Sequence, residues 1–242
     1  MENWLERTSL LLGEERLNIL KGSHVLVVGL GGVGAYAAEN LCRAGIGQLT
    51  IADGDVIHPS NKNRQLIALE STMHQRKAQV VGDRLRDINP DLQLTILDEY
   101  LRDERLNEVV AGPYDYVVDA IDTLSPKTFL IVNALRRGHR LVSSMGSGGK
   151  LDPSLIRVAD ISESHSCRLA YMVRKRLHRQ GITTGFSVVF SPEPVPDEAI
   201  VHVAGEANKL TTVGTISYMP PIFGAVLASV VIRHLIELPP AG

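Results

Sequence analysis

Four groups of residues have types and spacing suited to holding a nucleotide. Gly29-Leu30-Gly31-Gly32-Val33-Gly34 matches G-x-G-x-x-G and follows the apolar run His24-Val25-Leu26-Val27-Val28. Such a turn brings backbone N–H groups and a helix N-terminus to one point, which is an anion site. Alone it leaves the nucleotide open, with NAD the default. Asp53-Gly54-Asp55 ends a second apolar run, where an acid accepts hydrogen bonds from ribose hydroxyls in NAD and ATP sites alike. Ser60-Asn61-Lys62-Asn63-Arg64-Gln65 is a loop dense in donors, and its guanidinium suits bidentate phosphate contact. NAD dehydrogenases have no need of that loop. Lys77 suits phosphate charge, and Asp122 ends a fourth apolar run. A carboxylate at a phosphate site suits Mg²⁺, which takes hard oxygen ligands and keeps several waters.

The elements needed to position these residues alternate along the chain. Residues 1–22 form a helical N-terminal arm broken at Gly13 and Gly22. Strands are expected at His24–Val28, Gln48–Ala52, Leu92–Leu97, Tyr116–Val118 and Arg140–Ser144. Helices are expected at Ala35–Ala44, Gln75–Ile88, Asp103–Val110 and Pro126–Arg137. The apolar runs are continuous rather than alternating, as in strands buried on both faces. This is the pattern of an α/β fold with a Rossmann-like, doubly wound, mainly parallel sheet, in which ligands sit beyond the carboxyl ends of the strands. Asp53, Asp122 and the Gly146 turn fall at such ends. From Leu151 the pattern is less regular: a strand at Ile156–Val158, a basic helix, a strand at Ser187–Phe190, a proline-bearing loop at Ser191–Lys209, a strand near Thr215–Tyr218 and an apolar terminal helix. We read residues 1–242 as one domain, with a nucleotide-binding core at 23–150 and an irregular α/β extension of the same sheet at 151–242.

Composition narrows the function classes. The 242 residues are 44% hydrophobic and 21% charged, with a formal net charge of −2, so no global charge argues for nucleic acid. The apolar run Ile222–Leu238 is interrupted by Arg233 and His234, too soon for a membrane span. A buried helix is expected there, and no membrane insertion. Two cysteines, Cys42 and Cys167, stand far apart with no C-x-x-C pair. That excludes a Cys₄ structural zinc and argues against a disulfide framework. A cytoplasmic location follows, and the N-terminus lacks the order of a signal peptide. Cys42 has apolar helical neighbours and reads as core. Cys167 follows Ser164-His165-Ser166 and reads as structural rather than reactive.

The set Gly29-x-Gly31-Gly32-x-Gly34, Asp53-x-Asp55, Ser60-Asn61-x-x-Arg64-Gln65, Lys77 and Asp119-x-x-Asp122 resembles the ThiF/MoeB/HesA superfamily. These are ATP-dependent adenylating enzymes related to ubiquitin activators. The resemblance implies that Asp53 holds the ribose and that Asn61, Arg64 and Lys77 bind the triphosphate. Asp122 would bind Mg²⁺ and assist attack on the α-phosphate, with the amides around Gly31 and Gly32 facing the nucleotide. It also implies a homodimer in which Arg7 enters the neighbouring subunit's site. Asp119 would cap the following helix.

Over nearly the whole chain the sequence is similar to the tRNA threonylcarbamoyladenosine dehydratase branch. Arg7-Thr8-x-Leu10-Leu11-x-Gly13, Asp87-Ile88-Asn89-Pro90, Asp119-Ala120-Ile121-Asp122-Thr123-Leu124-x-Pro126-Lys127 and Gly146-x-Gly148-Gly149-x-x-Asp152-Pro153 carry the likeness. It implies ATP-driven activation of a threonyl carboxylate on tRNA, followed by cyclisation with net loss of water. A tRNA substrate calls for basic surface. Arg174, Lys175, Arg176 and Arg179, with Arg168 and His178, cluster on one expected helix, and Arg136, Arg137, His139 and Arg140 form a second group. A solvated helix face is the plain alternative. Three other readings stay open: activation of a ubiquitin-like sulfur carrier, an NAD(P)-binding oxidoreductase, and a non-catalytic partner of a sulfur-transfer system.

Overall fold

The computed structural model describes residues 4–202 and 211–237. Its centre is a seven-stranded sheet. The strands are β1 (His24–Val28), β2 (Gln48–Ala52), β3 (Gln93–Leu97), β4 (Tyr116–Asp119), β5 (Leu141–Ser144), β6 (Arg157–Asp160) and β7 (Ser187–Phe190). Their order is β3-β2-β1-β4-β5-β7-β6. All neighbours are parallel except β6, which runs antiparallel to β7 at the edge. The register pairs Val28 with Ala52 on one side and with Asp119 on the other. The last residues of β1, β2 and β4 therefore lie side by side, and the strand order reverses between β1 and β4. A crevice at that switch point is where doubly wound sheets bind ligands.

Alternate residues of each central strand feed two hydrophobic layers. Val25, Val27, Leu49, Ile51, Val118 and Val142 join one core, while Leu26, Val28, Val117, Leu141, Val188 and Phe190 join the other. The first layer is covered by α3 (Gly34–Arg43) and α4 (Lys77–Ile88), with α8 (Met219–Leu235) against α3. The second is covered by α5 (Asp103–Val110), α6 (Leu124–Arg136) and α7 (Arg168–His178). Burial on both faces explains the continuous apolar runs. The N-terminal arm is α1 (Glu6–Leu12) and α2 (Glu14–Gly22), hinged at Gly13 with φ +80°.

Two expectations for the second half are corrected. Strand β8 (Ile200–His202) lies inside the segment expected as loop, and β9 is Thr211–Val213 rather than Thr215–Tyr218. The two pair antiparallel as a separate two-stranded sheet. Three prolines mask the short strand on one side, and Tyr218 instead precedes the Met219-Pro220-Pro221 start of α8, where proline is pre-shaped for a helix. Residues 203–209 of the expected loop lie outside the described residues, as does Leu238. Among the described residues no helix is long and apolar enough to cross a membrane.

Candidate functional site

A cavity of about 1130 Å³ opens along the carboxyl ends of β1, β2, β4 and β5. Gly29, Gly31, Gly32, Asp53, Asp55, Arg64, Lys77 and Asp122 all line it. The glycine turn is shaped by steric necessity. Gly29 has φ +90°, and a Cβ there would sit 2.8 Å from the Ala120 carbonyl oxygen. A Cβ on Gly34 would sit 1.7 Å from the Gly29 carbonyl oxygen, so only glycine lets α3 start this close to β1. Gly34 is thus a packing residue behind the turn.

Asp53 ends β2 and reaches across to that turn. Its carboxylate accepts the Leu30 amide at 2.6 Å and the Asp55 amide at 2.8 Å. Burial leaves its pKa above the usual carboxylate value, against the smaller downward pull of the nearby Lys77 charge and the two amides. An ionised carboxylate offers about four acceptor sites, so capacity remains for ribose hydroxyls. Lys77 opens α4 with its side chain almost buried, and its Nζ lies 2.9 Å from Asp55 Oδ2. Tyr100 donates its hydroxyl to the other Asp55 oxygen. Burial pushes the Asp55 pKa up, but the Tyr100 and Lys77 hydrogen bonds bring it below the usual value. The Tyr100 phenol is itself pushed up to about 12, chiefly by that hydrogen bond. Asp55 therefore acts here as the anchor that aims Lys77.

Arg64 lies on the cavity wall, held by hydrogen bonds from Nη1 to the Ser60 carbonyl and to Asn63 Oδ1. Asn61 is placed differently from its expected phosphate role. It is buried, its Oδ1 accepts the His58 amide at 3.0 Å, and it is absent from the cavity lining. It closes the turn that presents Arg64. Arg7 is exposed on α1 and does not line the cavity of its own chain.

Asp119 does not cap α6. Its carboxylate is fully buried, 2.8 Å from Lys127 Nζ, and accepts Ser143 Oγ at 2.6 Å and the Ile121 amide at 3.1 Å. Lys127 also donates to the Ile121 carbonyl at 2.9 Å. This network holds the chain between β4 and α6 that carries Asp122 to the cavity. Among the described residues no cluster of three or more His, Cys, Asp or Glu could hold a metal by itself.

The basic groups separate. Arg168, Lys175, Arg176 and Arg179 fall at spacings that share one helix face, and Arg168 and Met172 of that face line the cavity. Arg176 donates to Ser125 Oγ at 2.8 Å, at the cavity rim. Arg174 is turned inward instead, clamped to Ser164. The second group is spent on structure. Arg136, Arg137 and Arg140 donate to Gln180, Asn107 and His234, and the His139 ring spans the Tyr114 and Val110 carbonyls.

The ThiF family profile matches residues 5–241. The chain belongs to the ThiF family. Within it, the tRNA threonylcarbamoyladenosine dehydratase of Bacillus subtilis (strain 168) is 34% identical over 244 residues, 98% of this chain and 96% of that protein. The protein of the same name from Escherichia coli (strain K12) is 39% identical over 177 residues, 72% of this chain and 66% of its own length. The solved structure of the E. coli tRNA N6-threonylcarbamoyladenosine dehydratase, TcdA, in complex with ATP superposes with a TM-score of 0.89 and 32% identity. That match covers 98% of this chain and 96% of the solved chain. Two residues outside the quoted motifs, Tyr100 and Lys150, and two that the motifs carried without an individual role, Gln65 and Lys127, complete this site. Lys127 and Tyr100 position its carboxylates, and Gln65 and Lys150 are buried in its wall. A lysine eight positions after a strand-ending Asp was the available signal for Lys127.

Proposed function

We propose that the chain is an ATP-dependent tRNA threonylcarbamoyladenosine dehydratase. The observation that carries this reading is the cavity at the β1/β4 switch point, lined by Asp53, Arg64, Lys77 and Asp122, in a chain matching an ATP-bound TcdA over nearly its full length. The threonyl carboxylate of the modified adenosine attacks the α-phosphate, the bond to the β-phosphate oxygen breaks, and pyrophosphate leaves. The side chain then cyclises on the activated acyl group with release of AMP, for a net loss of one water. Positioning and charge compensation are most of what this chemistry asks of a protein.

In this reading Asp53 holds the ribose, and the amides around Gly31 and Gly32 face the phosphates. Arg64 and Lys77 contact the triphosphate. Asp122 supplies one hard oxygen ligand for Mg²⁺, which suits an ion held by a single carboxylate together with substrate phosphates; bound there, the ion would offset charge at the α-phosphate. A homodimer would bring Arg7 of α1 to the neighbouring site. The outward face of α7 would carry tRNA phosphates from the cavity rim, and the paucity of cysteines fits a reducing cytoplasm.

The test is mass spectrometry of nucleosides from threonylcarbamoyladenosine-bearing tRNA incubated with protein, ATP and Mg²⁺. Loss of one water from the modified nucleoside is expected. Pyrophosphate exchange that requires a Gly-Gly-tailed carrier protein instead of tRNA would overturn the assignment.

A further inference from the structure

The cavity is electrically lopsided. Its carboxylates, Asp53, Asp55, Glu99, Asp103 and Asp122, all come from segments that follow β2, β3 and β4. Beyond β5, the described lining residues include two cations, Lys150 and Arg168, and no carboxylate. Lys150 is only 2% exposed. Its ammonium has three N–H donors, and the hydrogen bond it makes goes to the Glu193 carbonyl. The Glu193 carboxylate is occupied elsewhere, accepting the Leu151 and Asp152 amides at 2.9 and 3.0 Å. A buried ammonium with no salt bridge is costly; burial lowers the Lys150 pKa, and the Glu193 charge, spent on the two amides, offsets this only in part. Lys127, fully buried 2.8 Å from Asp119, shows how the same fold settles a lysine that has only a structural task.

Volume points the same way. At about 1130 Å³ the cavity exceeds the roughly 300–1,000 Å³ of a site for one small molecule. It has room for a second reactant beside a nucleotide, and the cationic end is the part the nucleotide motifs leave unused. Resting on the adenylation reading above, we propose that Lys150, with Arg168 at the same end of the cavity, receives the carboxylate of the acceptor substrate and holds it for attack on the α-phosphate. A carboxylate and a triphosphate repel each other, and a fixed cation under the carboxylate offsets that repulsion. One carboxylate oxygen bonds to the α-phosphorus, and the electron pair of the breaking P–O bond leaves with pyrophosphate. No proton moves, and Lys150 stays charged throughout.

The experiment is steady-state kinetics of the full chain with modified tRNA and ATP, beside ATP titration and thermal melting. For Lys150→Met, kcat/KM for tRNA should fall about tenfold or more while ATP affinity stays within about twofold. Lys150→Arg should recover most of the loss, because charge rather than shape is what the carboxylate needs. Arg168→Ala, on an exposed helix position, should raise the tRNA KM about threefold with kcat kept. Unchanged tRNA kinetics in Lys150→Met would overturn the proposal. So would a matching fall in ATP affinity, or a loss that Lys150→Arg does not recover. If Lys150→Met fails to fold, an unaltered tRNA KM in Arg168→Ala overturns it. Wild-type protein that removes no water from the tRNA would sink the functional reading itself, and the inference with it.

Discussion

The two ends of the cavity are built by different means. At the nucleotide end the carboxylates at the strand ends are tied to named partners. Asp53 holds two amides, Asp55 holds Lys77 and Tyr100, and Asp119 holds Lys127 and Ser143. The carboxylates sit at or just after the ends of strands in one continuous parallel register. At the other end the wall includes the Gly146–Lys150 turn, the start of α7 and residues of β9, and neither Lys150 nor Arg168 forms a salt bridge among the described residues. Rigid, fully paired geometry suits a ligand that is identical in every turnover. Loops with uncommitted charge suit a reactant that arrives attached to something large.

The sharpest way to break the paired end is Lys127→Met. It leaves the fully buried Asp119 carboxylate without its counter-charge, with only the Ser143 hydroxyl and Ile121 amide to hold it, and we expect a loss of about 3–5 kcal/mol of stability, measured by chemical denaturation. Asp122→Asn should leave the fold and ATP binding largely intact and lower turnover by about a hundredfold or more, read in the tRNA nucleoside assay. Retained turnover would refute its metal role. Arg64→Ala removes charge-assisted hydrogen bonds of about 1.5–3 kcal/mol, so ATP affinity should fall about tenfold or more by titration. Unchanged affinity would mean that Arg64 does not contact phosphate. The smallest effect belongs to the open end. Arg179→Ala should weaken tRNA binding only a few-fold and reduce the log–log salt slope by about one, as measured by binding across a salt series.

The sequence was most readable where burial was strongest. β1, β2, α5 and β7 fall at the expected residues, because strands covered on both faces and a helix with acids in its first turn carry their signals locally. β8 and β9 were missed, since each is three residues long and exists through its pairing with the other. The motifs gathered Asp53, Arg64, Lys77 and Asp122 at one nucleotide site, and all four line the same cavity. They could not distinguish a side chain that faces the cavity from one that braces it. Asn61 turns inward to hold the His58 amide, and Asp119 meets Lys127 across a chain reversal. Lys150 follows an ordinary glycine pair, and only the Glu193 strap folded over it reveals that it is buried.

The double grip of Asp53 on Leu30 and Asp55 has a thermodynamic corollary. The glycine turn holds its conformation through protein contacts, so an incoming nucleotide meets a loop whose conformational entropy was already lost during folding. Its binding free energy is then available for affinity rather than for ordering the loop.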